Sequence, residues 1–507
     1  MALLAETKGF SAPDENGTDN VSLTSAHWSS ESPKFHMIAG FGSSADQVTT
    51  HMKNTIGFGS ATEEVAIGIS SSDAVSSTVT DRAHQTAYSA YPLTTNGSLY
   101  ESAALNSYSA NTVSLDWTNS ANDGYYYFLM ALGGDDIENV SIDHITTSTS
   151  TGDVSYTGPG FQPDFLICLG TAGNTLPYTS NHKACQFGIS DGTTDAGIYS
   201  VSLDGRSSAS VTFSLMSTNF IHLTAGFGAD TTRATVKSLD SSGYTLNYNL
   251  AGTATRVTII AVKGPNAKVV TTTQPTSNTT NDLDAGFVPS AGICIGAMKT
   301  SSQTASDHNR FTIAAWTDTG GSNHMDSIGW MDEDNQATSD VDRYISNAYS
   351  IKNYDHSQSV VGQATVAVQG NGIRETWTST NGTEYAHSWL LLGSTAATPT
   401  VVQSGVPCAI RGLDTETSTG NLAIRGIDAG TSTGNLAICG IKAATSTGNL
   451  AISGVDYRSV VNITLNQNTK LEISSGIQRQ IDTILTINRQ VDDTLEVNRQ
   501  LEFTVER

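Results

Sequence analysis

Charged side chains are scarce in this 507-residue chain, at 14%, and positive ones are scarcer still: Lys and Arg number 25 against 48 Asp and Glu, a formal charge of −23. So acidic a mean field repels polyanions, which argues against nucleic-acid binding and reads most simply as solubility. Long helices draw on Glu, Lys, Ala and Leu, whereas Ser, Thr, Asn and 46 Gly fill the polar positions here and suit short strands and turns. Cysteine is rare as well. The five (Cys168, Cys185, Cys294, Cys408, Cys439) are odd in number and lack a short paired spacing, so neither a disulfide framework nor a zinc site is expected. No apolar run approaches the ~20 residues of a membrane span, and the apolar start at Ala2–Ala5 is broken by Glu6 and Lys8. The expectation is a protein made in a cytoplasm, without membrane insertion.

Catalytic signatures are missing too. There is no Gly-x-Ser-x-Gly elbow, no Gly-rich loop leading to Lys-Ser/Thr, no His-Glu-x-x-His and no Cys-x-x-Cys. Trp316–Gly320 (WTDTG) has the Asp-turn of a sialidase blade but no blade repeat. Eleven His are scattered; His182 and His308 occupy a corresponding loop, with no recurring acidic partner evident. No catalytic residue and no cofactor is expected, and the chain reads as a non-enzyme.

What the chain does contain is repetition. LDWTNSANDGYYYFLMALG (Leu115–Gly133) returns ungapped as LNYNLAGTATRVTIIAVKG (Leu246–Gly264) and ETWTSTNGTEYAHSWLLLG (Glu375–Gly393). Each copy places a large aromatic third (Trp117, Tyr248, Trp377), then a polar turn segment, then an apolar run closed by Gly, which reads as a hairpin. A second anchor, PKFHMIAG (Pro33–Gly40), PDFLICLG (Pro163–Gly170) and PSAGICIG (Pro289–Gly296), reads as an opening strand with Pro at its mouth. Cys168 and Cys294 share one place in it and read as small buried hydrophobes. A middle strand matches less closely through Ile67-Gly68-Ile69, Phe187-Gly188-Ile189 and Phe311-Thr312-Ile313.

The expected fold is therefore all-β: three tandem β-sandwich-like domains followed by a repetitive β stalk. Residues 1–30 read as a flexible N-terminal arm, 31–136, 155–266 and 280–395 as the β domains, and Thr146–Gly152 and Thr271–Asn281 as polar joints. Residues 401–456 carry fourteen-residue β repeats (AIRG, AIRG, AICG and AISG at 409, 423, 437 and 451), each too short to bury itself. Residues 457–507 form an alternating segment: from Val461 on, fifteen of the twenty-four odd positions are aliphatic or aromatic, against Ile484 alone among the even ones. That period of two predicts strands with one buried face. A coiled coil with Asn488 and Asn498 at core positions is the rival reading, opposed by the abundance of β-branched residues. With few Gly and no Pro there, the turns of a tight meander are not expected, and several chains sharing one core solve the problem of open edges. Three chains are favoured, since two ribbons leave edges exposed.

Gly-Phe-x-Pro before an apolar strand (Gly160–Pro163, Gly286–Pro289), followed by Gly-Tyr-Thr-Leu-Asn-Tyr (Gly243–Tyr248) and a terminal aliphatic strand, resembles a β module of virion structural proteins of tailed bacteriophages. The resemblance covers most of residues 30–395; the first copy, with Glu31 and Ser32 in place of Phe and Gln, departs from it. It implies a non-enzymatic particle component, a tail fibre or spike-type protein located in the virion, forming a homotrimer and meeting other virion proteins and possibly a host surface glycan. A carbohydrate-binding adhesin or a capsid decoration protein is the alternative. Three candidate sites remain open. The acidic loop Asp332-Glu333-Asp334-Asn335 with Asp340 and Asp342 has oxygen ligands enough for Ca²⁺ but not EF-hand spacing, and Gly133–Asp136 is a weaker counterpart. The consecutive Tyr125, Tyr126 and Tyr127 either turn one ring outward to a sugar or partner, or lie buried between two faces.

Overall fold

The computed structural model describes residues 3–29, 31–42, 46–118, 124–224, 229–300, 306–355 and 357–395, and beyond these only short strands between 409 and 502. The chain divides into two compact units, Met1–Ala397 and Thr398–Arg507. As the composition predicts, it is almost all β: the single helical element among the described residues is the four-residue turn Ser25–Trp28.

The first unit holds three modules of one design, and the second shows it in full. Its large sheet runs Asn139–Thr146, Arg256–Lys263, Phe165–Gly173, Lys183–Ser190, Asp195–Ser202, Thr212–Ser217. Its small sheet runs Gly152–Tyr156, Gly243–Leu250, Asp230–Asp240, Ile221–Thr224. The repeated aromatics are equivalent: Trp117, Tyr248 and Trp377 sit opposite Ala103, Ala234 and Ala364 in the small sheets.

The nineteen-residue repeat is nevertheless not a hairpin. Thr112–Thr118 belongs to the small sheet of module 1 and Tyr126–Gly133 to its large sheet, so the chain arches from one layer to the other. Polarity is the reason. Both strands have an apolar face, and the arch turns these toward each other, bringing the Trp117 and Tyr127 rings to 5.4 Å.

The second strand of each repeat is apolar throughout because it is buried on both sides. In Tyr126–Gly133, Phe128, Met130 and Leu132 enter a core common to all three modules, while Tyr127, Leu129 and Ala131 enter the module's own core. Ile260 and Val262 alternate with Ile259 and Ala261 in the same way, as do Leu390 and Leu392 with Trp389 and Leu391. The common core joins Phe35 and Phe58 of module 1, Phe165 and Phe187 of module 2, and Phe311 and Trp330 of module 3. A period of two therefore survives in these strands, hidden because both faces are apolar.

Several sequence-based boundaries change. The expected arm contains strands Leu4–Ser11 and Gly17–Ser22, the first strands of module 1, equivalent to Asn139–Thr146 and Gly152–Tyr156. Each large sheet needs such an outer strand to cover its last apolar strand, and Leu3 and Ala5 join the common core. The modules thus start twenty-seven, sixteen and fourteen residues before the expected 31, 155 and 280, at Leu4, Asn139 and Asn266. Thr146–Gly152 and Thr271–Asn281 are crossings between sheets inside a module, not joints between domains. The middle-strand match also shifts: Gly57, Gly188 and Ala314 pair with Ile38, Cys168 and Cys294, so the equivalent of Phe187–Ile189 is Ile56–Phe58, whereas Ile67–Ile69 lies one strand further on. Glycine at 57 and 188 leaves room for an overlying carbonyl, since a Cβ would lie 2.1 Å from Ser89 O and 2.0 Å from Phe220 O.

In the second unit the fourteen-residue repeats pair in parallel within the chain. Ala409 faces Ala437 and Ile424 faces Ile452, twenty-eight positions or two repeats apart. The alternating segment is β as expected, with Val461–Leu465, Lys470–Ile473, Ile484–Val491 and Leu495–Glu502 as strands. Its last two strands pair antiparallel, with Leu485 opposite Leu501 and Asn488 opposite Asn498. The expectation that this segment forms no tight meander is corrected there, since the two strands pair with each other within one chain; the residues between them, 492–494, lie outside the described ones.

Candidate functional site

The acidic loop at Asp332–Asp342 sits where all three modules meet. Asp332 is buried and forms an ion pair with the fully buried Lys183 of module 2, and Ser202 Oγ donates to the same carboxylate. Burial lowers the Lys183 pKa, and the Asp332 charge opposes that shift. Glu333 takes Arg310 at 3.1 Å and lies 2.9 Å from His308. The Asp334 carboxylate accepts the Thr212 amide at 2.7 Å, across to module 2. Ser339 and Val341 bond instead to module 1, at Ser72 and Asp73. Among the described residues, no group of three or more His, Cys, Asp or Glu is placed to hold a metal ion. The density of carboxylates is a density of joints.

The same joint occurs three times. Thr78, Ser210 and Ser339 each donate a hydroxyl to a carbonyl of the next module, at Leu203 (2.7 Å), Glu333 (2.7 Å) and Ser72 (2.7 Å). Their amides donate to Arg206, Gln336 and Val75. Thr80, Thr212 and Val341, a little further along, donate their amides to the carboxylates of Asp204, Asp334 and Asp73. Those aspartates are held in turn by a histidine: the amides of Asp73, Asp204 and Asp334 donate to Nδ1 of His51, His182 and His308 at 2.9, 2.8 and 3.2 Å. All three histidines have left-handed backbone, φ 62°, 68° and 66°. An acidic residue therefore does recur with His182 and His308, through its backbone amide. Sequence reading missed the third member, His51, although it stands eighteen residues after Pro33 while His182 and His308 stand nineteen after Pro163 and Pro289.

Just before each histidine, a short strand leaves its own module and completes the neighbour's large sheet. Tyr178–Asn181 of module 2 pairs with Thr80–Gln85 of module 1, Ser306–Asp307 of module 3 meets Thr212–Ser217 of module 2, and Gln47–Thr50 of module 1 pairs with Val341–Ser346 of module 3. At the other end of the sheets, the amides of Ile142, Val269 and Thr7 bond to side chains of Glu63, Asp191 and Thr317. Each module thus grips the next in the same direction, and the third grips the first: the unit is a closed ring with approximate threefold repetition.

Crowding of acids at the seams shifts their titration. Asp81 and Asp342 occupy equivalent places and are both pushed up to about 6, by burial first and then by neighbouring carboxylates (Asp204 for the one; Asp340, Asp73 and Asp332 for the other). Burial raises Asp326, which accepts the Tyr126 hydroxyl at 3.2 Å across the seam between modules 1 and 3, to about 8. His84, at the seam of modules 1 and 2, bonds Thr258 Oγ1 at 3.0 Å and is lowered by burial to about 3.

The other candidates are also structural. Tyr127 is fully buried and donates to Glu101, whereas the half-buried Tyr126 packs on the common core and the half-buried Tyr125 stacks on Phe41 at 4.0 Å, so all three rings are engaged within the unit. Trp316 is buried and donates to Asn323, with Asp318 capping the hairpin turn at Gly321. At Gly133–Asp136, Lys34 Nζ donates to Gly134 O and Asp136 accepts the Thr395 hydroxyl. Cys168, Cys185 and Cys294 are buried free thiols. Cys408, Cys439 and the arginines of the alternating segment lie outside the described side chains. No helix among the described residues is long and apolar enough to cross a membrane. Comparison with protein-family models, curated proteins and solved structures finds no match.

Proposed function

We propose that this protein is a non-enzymatic structural component of a tailed-phage particle, an oligomeric fibre or spike-like appendage serving attachment or particle assembly. The observation that carries the reading is the use of its recurring polar side chains. The histidines, aspartates and hydroxyl residues that repeat from module to module are consumed in holding modules together, and none is left as a base beside a free nucleophile. A closed ring followed by stacked repeats suits a part that bears load. Association falls to residues 398–507. One edge of each large sheet in the ring is already covered by an exchanged strand, whereas the tail's five-stranded sheet ends in Ala409–Ile410 and Leu495–Glu502, which have no further strand partner among the described residues. Homotrimerisation through this segment, contact with other virion proteins and with a host surface glycan, and location in the virion belong to the same proposal. Immuno-electron microscopy of particles from the source, with antibody raised against the ring, should label a fixed position on the virion. Uniform absence from purified particles, or glycan cleavage by the protein that a single carboxylate substitution abolishes, would overturn it.

A further inference from the structure

Module 3 departs from its sisters at one place inside its sandwich. Glu375 is completely buried where modules 1 and 2 carry Leu115 and Leu246, and His387, opposite Gly296, stands where they carry Tyr127 and Val257, opposite Gly40 and Gly170. Glu375 Oε1 accepts His387 Nε2 at 2.6 Å and Trp389 Nε1 at 2.8 Å, and Oε2 accepts Trp377 Nε1 at 3.2 Å. A carboxylate that already accepts two indole N–H groups fits Nε2 as the donor of the third short contact, leaving Nδ1 as the ring's acceptor. His387 is 95% buried and its other nitrogen, Nδ1, has only the Tyr385 carbonyl at 3.4 Å, too long for a well-formed bond. Tyr385 and His387 line a small cavity with room for roughly one water-sized body.

The same cavity is lined by Cys294 and Met298. Met298 keeps a left-handed backbone, φ 49°, which is strained for a long side chain; its counterpart in module 2 is Ala172, φ 57°. Module 2 therefore offers Cys168, Ala172 and Val257 where module 3 offers Cys294, Met298 and His387, and only the latter trio is a set of soft and borderline metal donors. We propose that Cys294 Sγ, Met298 Sδ and His387 Nδ1 form a binding site for a monovalent soft cation, Cu(I), with Glu375 orienting the imidazole. A carboxylate on the far nitrogen is the usual support of a metal-bound histidine. Binding replaces the thiol proton, which leaves to solvent, so the thiolate neutralises Cu(I), and a thioether as the second sulfur donor selects a soft ion.

The test uses the full chain with Cys408→Ser and Cys439→Ser, titrated anaerobically with Cu(I) against a chromophoric chelator, and with Ag(I) as a redox-inert probe. The expected result is one ion per chain. Cys294→Ser should abolish binding and Met298→Ala, which reproduces module 2, should weaken it at least tenfold. Cys168→Ser should leave it unchanged. No binding beyond that of Cys294→Ser, or equal loss with Cys168→Ser, overturns the site; far-ultraviolet circular dichroism of each variant separates loss of donors from loss of fold.

Discussion

The ring and the tail solve one problem, uncovered strand edges, in different ways. In residues 3–395 every strand pairs antiparallel with its sheet neighbours, and each module lends a short strand to the next until the circle closes. Between 409 and 502 most of the described strands pair in parallel with a strand further along, in three pairs with the copy two repeats on. A closed arrangement has a fixed number of units, three, whereas an open stack has none. Order in the ring is a property of one chain; the proposed association draws on the tail's end strands.

The comparison breaks most visibly if the ring's buried charges are unbalanced. Lys183→Ala leaves Asp332 buried without its cation, and a loss of about 3–5 kcal/mol in ring stability is expected. Lys183→Met with Asp332→Leu should recover most of it, as chemical denaturation of both variants would register. Cutting the chain at 397 sharpens the contrast at a different level: the ring alone should sediment as a monomer with an unchanged unfolding midpoint, while the full chain associates. Ile487→Asp, in a tail strand paired on both sides, should lower that association without moving the ring's transition. Smaller effects fall on the threefold clasp. Thr78→Val, Ser210→Ala and Ser339→Ala each remove one buried hydroxyl bond and should cost about 1–2 kcal/mol apiece. Similar values at all three positions would support equivalence of the seams.

Titration gives the gentlest probe. The Asp326 pKa of about 8 in the folded ring lies above its ordinary 3.8, so its contribution is complete below about pH 4 and is lost progressively as pH rises toward 8. Asp326→Asn should flatten the stability profile in that window, by on the order of 1 kcal/mol per pH unit. His84 acts oppositely. Lowered from 6.5 to about 3, it contributes fully above pH 6.5 and loses that contribution as the solution is acidified. His84→Gln should soften the acid side of the profile without touching the alkaline side.

The sequence displays the modules plainly because their ungapped repeats lie in strands buried on both faces, where substitution is constrained at every position. It hides the ring. Exchanged strands such as Gln47–Thr50 and Ser306–Asp307 are too short and polar to show a period, and a strand completing another module's sheet looks like a loop in its own. Arches between layers resemble hairpins for a related reason: a polar turn between two apolar-faced strands serves either connection. The acidic loop was conspicuous as a cluster of charges, but its answering groups, Lys183, Ser202 and Ser210, stand more than a hundred residues away. Spacing alone distinguished the clasp histidines, and only two of them lay in segments aligned well enough to be matched.

Closure of the ring rests on the seam between modules 1 and 3, the one pair not joined by a short stretch of chain. Thr50 stands opposite Asp342 there, and Asn181 opposite Asp81 at the equivalent place between modules 2 and 1. In full chain carrying Cys408→Ser and Cys439→Ser, the pair Thr50→Cys with Asp342→Cys should oxidise at submicromolar concentration to an intramolecular disulfide, seen by mass spectrometry as one linked peptide pair in a monomeric band, as readily as Asn181→Cys with Asp81→Cys. Linkage only between separate chains, or at the second seam but not the first, would contradict a ring closed within one chain.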